Sequence, residues 1–231
     1  MNKNRKTGFL LGMVFLSATV FGQTNGSESN KQTNGEKMAK TYLDLMVNVV
    51  STNVNYGDAN GALTDYKKST NGIQAGVSFQ AGITHNFSLV SELYFIRKGG
   101  QLNATNPLTT TESTLHLNAI ELPILARFHM GKFYVNAGPS IAYNFSGNRK
   151  IADQSTKLLF ENSGEGFKRL EAGIQLGGGI EFPFKQKRIA LDIRYNYGLT
   201  NIAYEKEMYN RALMISVHFS KLWKTNPLGR N

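Results

Sequence analysis

Residues 71–83 read NGIQAGVSFQAGI. Ile73, Ala75, Val77, Phe79, Ala81 and Ile83 alternate without a break with Gly72, Gln74, Gly76, Ser78, Gln80 and Gly82. Side chains on a strand point to opposite faces in turn, so this segment is a strand with one apolar face and one small or polar face. The pattern recurs at 41–51, where Leu43, Leu45, Val47 and Val49 oppose Tyr42, Asp44, Met46 and Asn48. It returns at 169–182, 188–199 and 210–219, and less regularly at 87–97, 114–128 and 133–144. These segments predict eight strands.

The connections between them alternate in length. Short links (84–86, 129–132, 183–187) follow the second, fourth and sixth strands, and long polar ones (53–70, 98–113, 145–168, 200–209) follow the others. Aromatic residues fall into two groups. Phe87, Phe128, Phe133, Phe182, Phe184, Phe219 and Trp223 lie near the short links; Tyr94, Phe95, Tyr143, Phe145, Phe167, Tyr197 and Tyr209 lie near the long ones. Short turns, long loops and two aromatic girdles predict an all-β fold, an eight-stranded antiparallel transmembrane β-barrel with periplasmic turns and extracellular loops. A soluble barrel would put the apolar face inward and a Lys-rich face outward. The polar face here holds many glycines, with Arg and carboxylates of mixed sign, which suits a crowded lumen instead.

The N-terminus agrees with that location. Lys3, Arg5 and Lys6 precede an apolar run from Phe9 to Phe21, and a cut before Gln23 is compatible with a secretory signal over 1–22. That run is shorter than the roughly 20 residues a spanning helix needs. Residues 23–40 are polar and predict a flexible periplasmic tether, leaving 41–221 for the barrel and 222–231 for a periplasmic tail. No later apolar run is long enough to span, which excludes a helical membrane protein. The 231 residues contain no Cys, which removes disulfides, thiolate metal sites and Cys nucleophiles. The formal charge is +10, but the basic residues are scattered among acids with no aromatic interleaving, so nucleic acid is not an expected partner.

Several runs resemble a known family. Phe87-Ser88-Leu89-Val90-Ser91-Glu92-Leu93-Tyr94-Phe95-Ile96-Arg97-Lys98-Gly99-Gly100 is similar to the third strand of the porin-like outer-membrane β-barrel family of Bacteroidota, often called PorT-like. That strand usually reads Pro-Glu-Leu-Leu-Tyr and ends in Lys-Gly, so Ser91 departs at the proline. Ala119-Ile120-Glu121-Leu122-Pro123-Ile124-Leu125 resembles the family's Leu-Glu-Ile-Pro strand. Ala137-Gly138-Pro139, the run 177–181 and the run 194–202 follow in family order, so the resemblance spans 41–221. It implies architecture and an outer-membrane location, with envelope or secretion proteins as partners beside the membrane lipid. On activity it is nearly silent.

By strand parity the lumen receives Asp44, Glu92, Glu121, Arg127, Arg169, Glu171, Glu181, Asp192 and Arg194. Unpaired charges in a narrow tube are costly, so these predict an internal network of ion pairs and hydrogen bonds. A selectivity constriction is the functional alternative, although eight strands leave room for side chains rather than a channel. The histidines His85, His116, His129 and His218 lack metal-ligand spacing, and the Asp58–Asp65 stretch lacks the terminal Glu of a calcium loop. No nucleophile elbow, phosphate loop or His-Glu-x-x-His occurs, and the glycines at 177–179 fit close packing rather than a phosphate. Catalytic, metal and cofactor sites are therefore not expected. The loops at 53–70 and 145–168 carry Tyr56, Leu63, Tyr66, Ile151, Leu158, Leu159 and Phe160, more apolar surface than a solvated linker needs. Tyr56, Tyr66, Leu158, Leu159 and Phe160 are candidate partner-binding residues, or else pack over the barrel mouth. The expected function is a structural or interaction barrel acting through these loops or assisting protein secretion. A small porin is the alternative, and an outer-membrane enzyme a distant third.

Overall fold

Eight long strands form a closed antiparallel cylinder in the computed structural model, which describes residues 40–223 apart from 186. The expected signal segment, nearly all of the expected tether and most of the expected tail lie outside the described residues. The strands are β1 (Tyr42–Asn55), β3 (Thr70–Gly82), β4 (Phe87–Leu102), β5 (Ser113–Met130), β6 (Phe133–Ile151), β8 (Leu170–Phe184), β9 (Lys187–Gly198) and β10 (Tyr209–Leu222). Two short strands, β2 (Lys67–Lys68) and β7 (Gln154–Lys157), add to β4 and β6 in the loops. The cylinder closes where β1 meets β10, from Tyr42↔Leu222 to Asn55↔Tyr209, so no long strand is left with an open edge.

Burial decides which way the wall faces. Leu45, Val49, Ile73 and Leu176 are each more than 60% exposed, while their strand neighbours Asp44, Asn48, Gln74 and Gln175 are at most 2% exposed. A soluble barrel would show the reverse. Here the apolar residues are turned out of the protein and the polar groups are turned away from bulk solvent. The arrangement is stable only where the outer surface meets lipid.

Strands reach further into the loops than the period-two pattern indicated. β5 and β6 run 18 and 19 residues, well past the roughly 9–11 that cross a bilayer. The β6 loop end, Ser146 to Lys150, is polar or glycine on both faces, so alternation vanishes there while backbone pairing continues. A bulge at Asn118/Ala119 bends β5 against β6 at that level. Lower down, the β4–β5 register steps from Ser91↔Ile124 to Tyr94↔Glu121, passing over Leu122 and Pro123; a proline has no N–H to offer its neighbour.

The girdle residues divide. Phe128, Phe133, Phe182, Phe184, Phe219 and Trp223 face outward at the turn end, and Phe95, Tyr143, Phe145 and Tyr197 face outward at the loop end. Two aromatics assigned to the loop-end girdle do not belong to it. Tyr94 has even parity on β4 and points into the lumen, and Phe167 lies in a loop under the barrel mouth; both are nearly inaccessible.

Candidate functional site

Asp44, Glu92, Glu121, Arg127, Glu171, Asp192 and Arg194 all lie buried in the lumen, with Glu181 partly buried at its turn end. The lowest group centres on Arg188, the second residue of β9. Its guanidinium donates to both oxygens of Asp44, 3.3 and 3.0 Å, to Glu181 at 2.7 Å and to Gln80 Oε1 at 2.8 Å, and it lies 4.0 Å from the Tyr42 ring centre. Arg127 donates to the same Gln80 oxygen at 2.9 Å and stacks on Tyr134 at 4.0 Å. Two arginines thus share one neutral acceptor, with Asp44 and Glu181 supplying the counter-charge. At the edge of this group, Ser88 Oγ lies 2.9 Å from His129 Nε2, and His129 Nδ1 lies 3.7 Å from Glu181. The order serine, histidine, carboxylate is that of a nucleophilic triad. Yet Ser88 has no exposed surface, and Glu181 is held by Arg188 rather than by the histidine. The pairing closes the turn end.

Higher in the tube, Arg194 bridges opposite walls. It donates to both oxygens of Glu92 at 2.7 and 3.0 Å and to Asp192 at 2.6 Å. The two-pronged geometry matches a planar guanidinium to a planar carboxylate, the strongest form of such a contact. Asp192 also accepts from the Tyr134 hydroxyl and from Asn136, while Gln175 links Tyr94 to Glu121. Gly177 and Gly179 make this possible: a Cβ on either would strike the Arg194 side chain or the Tyr134 hydroxyl within 2.4 Å. Above, Lys98 donates to Glu171 at 2.7 Å, and Asn144 and Asn210 donate to the same carboxylate. Met46, Val50, Ile96, Ala119, Ala142, Ala212 and Met214 fill the space beside these pairs.

Arg169 is the exception among the expected lumen residues. β8 begins only at Leu170, so alternation does not extend to Arg169, which is exposed outside the wall with its guanidinium over Phe160 at 4.7 Å and Tyr143 at 5.9 Å. Two principal members lie outside the expected set, Arg188 and Lys98, while Gln80 sits on the polar face that alternation predicts. Arg188 was legible by parity with Asp192 and Arg194, but it adjoins the turn. Lys98 was assigned to a loop that is in fact strand. The four histidines stand apart: His85 in the 83–86 turn, His116 on the outer face of β5, His129 at the turn end and His218 beside Asp44. Among the described residues, no group of three or more His, Asp or Glu is placed to hold a metal ion.

The loop mouth is closed by a second apolar cluster of Val54, Leu115, Leu117, Phe167, Ile202, Ala203 and Met208, on which Tyr56, Leu158 and Phe160 pack. Of the candidate loop residues, those three serve this plug; Tyr66 is half-buried, and Leu159 is the exposed one, at 52%. Burial pushes the Tyr56 hydroxyl up to about 12. Beside the plug a cavity of about 520 Å³ opens, floored by Leu102, Leu115, Met208 and Tyr56 and rimmed by Asp58, Thr109, Arg149, Lys206 and Glu207.

Residues 47–204 match the family model described as outer membrane protein beta-barrel domain. The chain belongs to that family. It is accordingly an outer-membrane protein, and its exposed apolar wall is lipid-facing. Solved barrels of low identity are similar to it. Neisserial surface protein A (NspA) is 11% identical with a TM-score of 0.45, covering 81% of this chain and all of that one. Ail, the attachment invasion locus protein of Yersinia pestis, is 10% identical with a TM-score of 0.43, covering 79% and 99%. The outer membrane protein AlkL in lipid bilayers is 12% identical with a TM-score of 0.39, covering 91% and 100%. No curated protein matches the sequence.

Proposed function

We propose that this outer-membrane barrel does not conduct and acts by recognising a partner or ligand with its extracellular loops. What carries the reading is the filling of its tube. The Arg188–Asp44–Glu181 group, the Arg194–Glu92–Asp192 group, the Lys98–Glu171 pair and the apolar mouth plug succeed one another along the axis. An ion entering would have to separate buried charge pairs, each costing several kcal/mol. In planar bilayers the purified protein should give a flat current baseline. Discrete, stable openings would overturn the reading and favour a small porin.

The motifs at 87–100, 119–125 and 194–202 support kinship with the PorT-like barrels of Bacteroidota within the broader family. Assistance to protein secretion is the form that loop recognition would take there, with other envelope proteins as partners. Co-purification from native envelopes, with and without loops 56–66 and 152–169, tests that assignment.

A further inference from the structure

The mouth cavity has a chemical preference that follows from its charges, and this inference rests on the loop-recognition reading above. Two cations and two carboxylates stand on its rim: Arg149 and Lys206, Asp58 and Glu207. Both cations are already engaged. Arg149 donates to Glu165 Oε2 at 2.9 Å and Lys206 to Glu165 Oε1 at 2.8 Å, and those hydrogen bonds hold the Glu165 carboxyl below its ordinary range, so it stays charged. Asp58 and Glu207 are joined by the Asp58 backbone N–H, which donates to Glu207 Oε2 at 3.2 Å. Among the described residues no Lys, Arg or His forms an ion pair with either carboxylate.

Neighbouring geometry keeps the two acids together. Gly57 has φ +55°, and a Cβ there would sit 1.9 Å from Glu207 Oε2, so Glu207 packs onto the one residue type with room for it. Below them the floor is Leu102, Leu115 and Met208, each at most 5% exposed, with the Tyr56 ring alongside. An apolar floor with a few polar groups converging at one side is the usual form of a small-molecule site, and 520 Å³ lies within the usual size range.

We infer that the cavity binds a small amphiphilic amine, its hydrocarbon or aryl body on Leu102, Leu115 and Met208 and its cationic head between Asp58 and Glu207. The test uses the full barrel in phosphatidylcholine nanodiscs, with empty discs as the baseline. Three fluorescent probes of one shape are titrated: naphthylpropylammonium, naphthylpropanol and naphthylpropionate. The ammonium should bind saturably and at least about tenfold more tightly than the carboxylate, the ratio equivalent to one modest charge contact. In Asp58→Asn/Glu207→Gln the ammonium should fall to the affinity of the alcohol. Ala59→Trp and, on a different loop, Thr109→Trp should abolish binding of all three by filling the space.

Heat-dependent gel mobility shows that each variant is folded; if the double variant is not, the wild-type probe series alone decides. Uptake no greater than by empty discs overturns the proposal, as does equal or tighter binding of the carboxylate or an unchanged preference in the folded double variant. Failure here with a flat conductance baseline removes the amine and leaves the non-conducting barrel. Channel openings remove the underlying reading itself.

Discussion

Arg194 and Arg169 are the same residue type on neighbouring parts of one fold, and their surroundings predict opposite behaviour. Truncating Arg194 strands the Glu92 and Asp192 carboxylates, both buried from solvent, without their cation. Arg194→Ala should therefore cost about 3–5 kcal/mol, read as a lowered urea midpoint in reconstituted protein. Arg169→Ala removes an exposed side chain resting on two rings, and its cost should stay within about 0.5 kcal/mol. Equal midpoints for both variants would contradict the placement of the two arginines. The pair also shows what a sequence can reveal. Alternation places Asp44, Glu92, Glu121, Asp192 and Arg194 on one face because each sits inside an unbroken strand. It misplaces Arg169 and passes over Arg188 because parity carries no information about where pairing stops.

Among the elements, the loop end of β6 and the segments 158–169 and 199–208, already tied by the Phe167–Ala203 bridge and its neighbouring backbone bonds, are joined further by one exposed carboxylate, Glu165. Its pKa is depressed in the folded chain, first by the Lys206 hydrogen bond and then by that from Arg149. The link is therefore fully present above the ordinary glutamate value, roughly 4.3, and is lost as pH falls through and below it. Amide protection factors in 199–208, with the exchange rates corrected for the intrinsic pH dependence, should fall on acidification from neutral pH through that range. Glu165→Gln should show the lower protection already at neutral pH, while the lumen strands remain protected in both. An acid-insensitive loop would show that the two cations hold it by other means. None of this was legible in the sequence, since Asp58, Leu102, Lys206 and the pair Arg149 and Glu165 come from four separate connections that meet only after the barrel has closed. The mouth plug was half legible. The excess of apolar residues in 151–160 was plain, but whether they faced a partner or Phe167 and Ile202 depended on the fold.

For the whole molecule, the reversal of inside and outside sets the conditions of stability. The closed ladder has no frayed strand from which unfolding can start, and the lumen contacts add resistance from within. The protein should fractionate with outer membranes and run at a different gel mobility when left unheated; a soluble periplasmic pool with no heat-dependent shift would refute the topology. The contact of Arg194 with Glu92 has a further effect, because it does not join neighbours. Glu92 belongs to β4 and Arg194 to β9, which share no ladder, and Gln175 on β8 reaches Tyr94 on β4 in the same way. Such links are struts across a tube. They oppose flattening of its cross-section and add to the paired ladder's hold on the seam between β1 and β10. A partner pulling on the loops would therefore meet a stiff post, and movement in response to capture would be confined to the segments above the rim.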